Sequence, residues 1–397
     1  MKRFRQALLC LSLLLCGVAK GQIVPVPTTT PDSVVISLLT CSAGQEVWAQ
    51  YGHTALRVHN KATGSDLAVN YGVFDSSQPN FVLRFVFGLT DYSMGVIPME
   101  LFLKEYALEG RGVTEQVLNL TPKDKEAICK ALQDNARPEN VVYRYNFFYD
   151  NCTTRARDIV LQHLGGKVAY GPWQDHGKSF RNLIHRCNGN DPWARFGEDL
   201  LLGIGADRPI TRTQAQFLPD NLRADFAQAT YHGQPLVAQT TQLLPAVTQS
   251  NASYSGIDPR WSIIIFAVLS FAISVIEDLK GKIYWGVDLV CMLLSGIPGI
   301  ILTAMLFSQH PTVRVNLLLL IFNPLPLLMA WRATRRTIKH RKDSWWALWA
   351  ILLVAGMIGG KFQSYPDSMV ILALSLLFRP IAHLLSMYKN KQIATQQ

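Results

Sequence analysis

Five long apolar runs, at about 262–276, 286–307, 314–331, 345–360 and 368–387, fill the C-terminal third of this 397-residue chain. An α-helix needs ~20 apolar residues to cross the ~30 Å hydrocarbon layer, and shorter runs span it with help from flanking residues. A helix satisfies its own backbone polar groups where no water is present, so the runs predict an all-α bundle of five transmembrane helices at 261–388. The loop charges orient that bundle. With everything before residue 260 outside, the inner loops and the tail (389–397) hold Lys280, Lys282, six basic residues of 332–342, Lys389 and Lys391. The outer loops hold Arg314 and Lys361, with Arg260 at the outer edge of the first span.

The formal charge of +10 belongs to this membrane pattern. Lys2, Arg3, Arg5 and Lys20 precede any acid, and Arg332, Arg335, Arg336, Lys339, Arg341 and Lys342 form the second cluster; elsewhere basic and acidic residues balance. A nucleic-acid-binding domain is therefore excluded, because its charge would spread over one face of a folded unit. The first cluster opens a secretory signal at 1–21, with an apolar stretch from Ala7 to Val18 and small residues Ala19 and Gly21 before a cleavage point near Gln22. Leu15 is too large for lipoprotein cleavage at Cys16. Within the spans, Asp288 lies near the inner end and Arg379 is expected to extend toward the same side, the alternative being a functional intramembrane charge. Asn323-Pro324-Leu325-Pro326 is expected to kink the third span, the alternative being a lipid-binding role.

Residues 22–245 carry the composition of an α+β domain, joined to the spans by a polar linker at 246–260. Strands are expected at 34–40, 52–59 and 66–73; in the second, Thr54, Leu56 and Val58 share one face and His53, Ala55, Arg57 and His59 the other. Thr121-Pro122 opens a helix reaching about Asn135. Asn151 caps another, with Ala156, Ile159, Val160 and Leu164 at helical spacing and Gly165-Gly166 closing it. Phe81, Leu83, Phe85, Val86 and Phe87 are expected to pack in the core, the alternative being an acyl-chain wall or a membrane contact.

Chemistry concentrates in two segments, Tyr51 to Val58 and Tyr149 to Arg155. Cys152 sits in the first turn of the helix capped by Asn151, where the backbone N–H groups favour thiolate over thiol and can hold an oxyanion. A cysteine nucleophile also needs a base, and the base an orienting partner. His53 is the candidate base and Asn70 the candidate partner for its second ring nitrogen. His59, His176 and His185 compete for the base role, and both residues also have ordinary structural readings, as a small buried Cys and a hydrogen-bonding strand His. The Asn151 sequon is a poor glycosylation site, since its side chain is committed as a cap. No cysteine pair has metal-ligand spacing, so neither metal nor cofactor is expected. One disulfide among Cys41, Cys129 and Cys187 is compatible with export, and spacing assigns no pairing.

These segments resemble the signature of the Lnb-type N-terminal periplasmic domain of envelope proteins in Bacteroides-like bacteria. The resemblance runs over about 33–230 and takes in Gly52-His53-Thr54, Asn70-Tyr71-Gly72-Val73-Phe74-Asp75, Tyr145-Asn146, Asp150 to Arg155 and Phe217-Leu218-Pro219. It implies a permuted papain-like (NlpC/P60-type) fold, related to lecithin:retinol acyltransferase, in which the histidine strand precedes the cysteine helix. With five spans behind it, the chain resembles lipoprotein N-acyltransferases of the bacterial inner membrane, catalytic domain in the periplasm. The reaction implied takes an acyl chain from a membrane phospholipid onto Cys152 as a thioester, then onto the α-amino group of a diacylated lipoprotein. The motifs carry Cys152 and His53; the orienting role of Asn70 rests on its position alone.

Tethering suits that chemistry, because both substrates are bilayer lipids and confinement to a plane shortens the search. Two further classes stay open at this point: a cell-wall cysteine peptidase or amidase, and a non-enzymatic envelope binding or scaffold protein. The sequence carries no signal for an oligomeric state.

Overall fold

The computed structural model of the chain describes residues 31–75, 77, 79–247 and 256–396. The expected signal at 1–21 and most of the expected linker lie outside the described residues. The first half of the outer domain runs β1 (Val34–Cys41), β2 (His53–Asn60), β3 (Ser65–Val73), α1 (Phe81–Val86), β4 (Asp91–Pro98), α2 (Met99–Leu108), β5 (Val113–Leu118), α3 (Pro122–Asn135), β6 (Val142–Arg144) and α4 (Cys152–Gln162). It continues through β7 (Val168–Ala169), α5 (Phe180–Ile184), α6 (Pro192–Leu201), α7 (Arg212–Ala215), α8 (Pro219–Gln228), β8 (Thr230–Tyr231), β9 (Gln234–Pro235) and β10 (Val237–Leu244).

The main sheet is antiparallel in the order β10-β5-β1-β2-β3-β4-β6. Alternation along its strands loads both faces. Leu38, Leu56, Val58 and Val69 pack with Ile128 and Leu132 of α3, Ala156 and Val160 of α4, and Phe226 of α8. On the opposite face Leu39, Cys41, Ala55 and Ala68 meet Met99, Phe102 and Tyr106 of α2. Burying β2 on both sides holds its first residue, His53, in a defined place.

The membrane part comprises α9 (Pro259–Lys280), α10 (Trp285–Met305), α11 (Leu325–Ile338), α12 (Trp345–Gly359) and α13 (Met369–Gln396). Among the described residues, four segments are long and apolar enough to cross a bilayer: 259–280, 285–305, 317–338 and 369–386. The fifth apolar helix, α12, has 15 residues, which rise only about 22 Å. Asn323-Pro324-Leu325-Pro326 breaks the third span rather than kinking it, separating a 3₁₀ turn at Leu317–Leu320 from α11. The break brings the Asn323 backbone against Gly299 of α10, where a Cβ would lie 2.4 Å from the Asn323 carbonyl carbon.

Two further expectations need correction. Asp288 and Arg379 do not reach water: both are fully buried. Arg379 pairs with Glu277 of α9 and, at 2.7 Å, with Asp288 of α10, whose other oxygen lies 2.9 Å from His383 Nε2. Carboxylates from two neighbouring helices neutralise the guanidinium in place, so it gains nothing by extending outward. The 81–87 stretch is not core either. No residue of α1 is buried, and Val82 and Leu83 are exposed, because the helix sits at the edge of the sheet domain against the bundle. Cys41, Cys129, Cys152, Cys187 and Cys291 are free thiols.

The outer domain docks on the bundle through backbone bonds. Gly203 and Ile204 N–H donate to the Thr312 and Val315 carbonyls at 2.8 and 2.9 Å, and Gln309 N–H donates to Phe87 at 2.9 Å. Gly203 is required by the close approach, since a Cβ there would sit 2.1 Å from the Val315 oxygen. Asn316 and Gln363 add side-chain bonds to the Leu200 and Leu202 carbonyls. One buried cluster runs through the junction, from Phe148, Phe180 and Phe217 to Leu302, Met305 and Val313.

Candidate active site

The N-terminus of α4 is built by Asn151. Its Oδ1 accepts the Thr153 and Thr154 N–H groups at 2.9 Å, and Thr154 Oγ1 returns a bond to the Asn151 N–H. Its Nδ2 donates to the Phe147 and Phe217 carbonyls, both at 3.0 Å. A buried cap with every polar atom engaged fixes Cys152 as the first helical residue. Asp150 and Arg155 pair across the turn at 2.6 Å, with the guanidinium 3.5 Å above the Tyr143 ring. Gly72, at φ +88°, passes beside the thiol; a Cβ there would lie 3.6 Å from Cys152 Cβ.

β2 delivers His53 to the same place. Its Nε2 lies 3.1 Å from Asn70 Oδ1 on β3, an acceptor that selects the Nε2–H tautomer and leaves Nδ1 for the sulfur. The imidazole stands beside Cys152, close enough for each group's charge to act on the other. Tyr106 of α2 stacks on the ring at 6.5 Å, and Arg111 lies 4.6 Å over the tyrosine. Thr153 Oγ1 lies 3.8 Å from the Cys152 sulfur and shares a hydrogen bond with Thr54 Oγ1 at 3.1 Å.

Burial pushes the Cys152 thiol up, but the charge and hydrogen bond of His53, then the Thr54 N–H and Thr153, outweigh it and bring the pKa down to about 7. For His53, burial works downward, and the neighbouring thiolate and Asn70 raise it above the ordinary histidine value. The two shifts share one cause, an ion pair between thiolate and imidazolium. Cys41, opposite His53 in the β1–β2 register, contrasts with this: burial pushes it up to about 12 despite its bond to Tyr106.

Both residues open into a cavity of about 710 Å³. Phe74, Phe85, Phe147, Phe148 and Leu202 supply much of its apolar wall, and the bundle contributes Met305, His310 and Val313. Glu46, Glu105 and Glu109 also line the cavity, the last paired with Arg111. The arrangement combines an activated thiol, a base with a fixed tautomer, and an apolar chamber of small-ligand size at the junction with the membrane helices.

Residues 27–179 match the Lnb N-terminal periplasmic domain family, and residues 250–391 match the Lnb transmembrane domain family. The chain belongs to the Lnb type. Comparisons with curated proteins and with solved structures return no match. The two family matches make this Lnb-type chain a membrane protein with a periplasmic part, and the sheet domain continues beyond the first match to Leu244.

Of the residues singled out in the sequence, Cys152, His53 and Asn70 converge. His59, His176 and His185 do not line the cavity; His185 is held by Asp199 at 2.8 Å. Sequence reasoning missed Thr54 N–H, Tyr106 and His310. Thr54 stands within the Gly52-His53-Thr54 motif, so its place beside the thiol had a signal. Tyr106 and His310 had none, because each reaches the cavity only through the packing of α2 and the docking of the bundle.

Proposed function

We propose that this Lnb-type protein is a lipoprotein N-acyltransferase of the inner membrane. Cys152 serves as nucleophile, His53 as base and Asn70 as its orienting partner, in a permuted papain-like periplasmic domain carried on five spans, α12 crossing with the aid of its flanks. The observation that carries the reading is the cavity itself: thiol and imidazole open into an apolar chamber that the membrane helices help to wall. A peptidase acting on polar cell-wall peptides has no use for such walls. The strand of His53 preceding the helix of Cys152 agrees with the permuted fold.

In the first half-reaction His53 Nδ1 holds the thiol proton while the thiolate attacks an ester carbonyl of a phospholipid. Thr153 and Thr154 N–H groups are spent on the cap, so the Cys152 N–H is the first-turn donor left for the oxyanion. Collapse breaks the ester C–O bond, His53 returns the proton to the departing alkoxide, and lysophospholipid leaves. In the second half-reaction the α-amine of a diacylglyceryl-cysteine attacks the thioester, passes a proton to His53 and leaves as the amide, and the proton returns to the departing thiolate.

Intact-protein mass spectrometry after incubation with phospholipid tests this. A fatty-acyl increment on Cys152 that vanishes on adding a diacylated lipopeptide is expected. Cys152→Ala should abolish the increment, and His53→Ala should slow it about 10²–10⁴-fold. An unmodified Cys152 in protein that still acylates lipopeptide, or cleavage of stem peptides instead, would overturn the reading.

A further inference from the structure

His310 lies in the outer loop between α10 and the third span, and it lines the cavity that holds Cys152. The side chain is 2% exposed, and neither ring nitrogen makes a hydrogen bond of good geometry, the Phe85 backbone alone acting on it weakly. Its surroundings are aromatic, with the Phe147 and Phe85 rings at 4.5 and 6.0 Å. A buried imidazole with so little hydrogen bonding is costly, about 1–3 kcal/mol for each unmet polar group, so its presence in a chamber wall points to a ligand that completes it. The loop is held for this purpose at several points: Gln309 N–H on the Phe87 carbonyl, the Thr312 carbonyl on Gly203, and Ser308 Oγ accepting the His310 N–H.

The chemistry of the site narrows the ligand. Burial pushes His310 down to about 4, with the Phe85 backbone offsetting it only in part. The ring is neutral at physiological pH and offers one N–H and one bare nitrogen. A neutral donor set among phenylalanines is a poor match for a phosphate, which calls for a cation, and a good one for an ester carbonyl, which accepts a hydrogen bond and carries no charge.

We propose that His310 anchors a glycerolipid in the cavity by donating a hydrogen bond to an ester carbonyl that is not the one under attack. The inference rests on the acyl-transfer reading above and assigns the membrane domain a direct part in substrate binding. Two lipids present such a carbonyl: the phospholipid donor, with its second ester, and the diacylglyceryl acceptor, with both of its own. Packing ties the anchor to the nucleophile, because His310 lies on Phe147, whose carbonyl holds the Asn151 cap of α4. His310 is a positioning residue, since it meets no reacting atom.

The test uses the full-length protein in detergent, with His310→Leu and the donor-retaining His310→Gln. Thioester formation is measured with a diester phospholipid and with one whose retained chain is ether-linked. Transfer from preformed acyl-enzyme is measured to diester and diether lipopeptides. Wild type should favour the diester about tenfold, the worth of one hydrogen bond in a dry site. His310→Leu should lose that preference, and His310→Gln should keep much of it. Loss in the first half-reaction identifies the donor lipid as the ligand, and loss confined to the second identifies the acceptor. Equal slowing of ester and ether substrates by His310→Leu, with the preference intact, would mean a structural role and overturn the inference. Binding of diacylglycerol and dialkylglycerol to Cys152→Ala protein, read by native mass spectrometry, separates the two levels. If ester preference in binding depends on His310 while wild type forms no thioester, the anchor stands and the reaction falls. If thioester forms and no ester preference depends on His310, the anchor falls and the reaction stands.

Discussion

At the scale of single residues, chemistry is decided by what surrounds a thiol. Cys41 and Cys152 are the same group near the same histidine, yet burial pushes Cys41 up to about 12 while His53 and two donors hold Cys152 at about 7. Cys129, buried, and Cys187, half-buried, are pushed up to about 11. The sign for Cys152 follows directly: its reactive thiolate is present above pH 7 and is lost as pH falls through that value. Iodoacetamide should therefore label Cys152 before any other thiol, at a rate that halves near pH 7. In His53→Ala the midpoint should move up, since the favourable charge goes and the burial remains; an unchanged midpoint would show that the imidazole does not set it. Spacing made Cys152 legible, because a cysteine after a capping asparagine stands at a helix N-terminus wherever that helix packs. The inertness of Cys41 was not legible, since nothing in its neighbours along the chain announces its burial.

At the scale of elements, α4 holds the site. Its start was readable in Asn151, and the cap does more than the sequence suggests, because Nδ2 also ties the turn to Phe147 and Phe217. Asn151→Ala should cost about 2 kcal/mol, from the lost cap and from two carbonyls left without a donor. The check is thermal unfolding together with the pH midpoint of Cys152 alkylation, which should rise as the first turn loosens. Unchanged values in both would remove Asn151 from the support of the site. The helix ends at Gln162 rather than at the Gly165-Gly166 pair, since a glycine pair permits termination and tertiary contacts choose the residue. β2 and β3 were equally legible through alternation and β-branched content, whereas α1 was misjudged: an apolar stretch reads as core unless the partner it faces is known.

At the scale of the whole molecule, two features came only from assembly: the cavity shared by both domains and the ion network at the inner end of the bundle. The network joins α9, α10 and α13 through Glu277, Asp288 and Arg379, with Trp346 stacked 3.7 Å from His383. Removing the guanidinium leaves two buried carboxylates facing each other, so Arg379→Leu should destabilise by about 3–5 kcal/mol. Adding Glu277→Gln and Asp288→Asn should recover much of it, as read by the melting temperature in detergent. A single variant as stable as wild type would show that the three charges are not coupled. The amino-acid sequence by itself marked the apolar runs, the basic loops beside them, and the candidates for thiol and base, because hydropathy, loop charge and helix capping act over one helix or turn. The tertiary structure alone decided which face of α1 is covered, that Arg379 is neutralised in place, and that a loop histidine enters the cavity, because burial and charge pairing depend on residues distant in the chain.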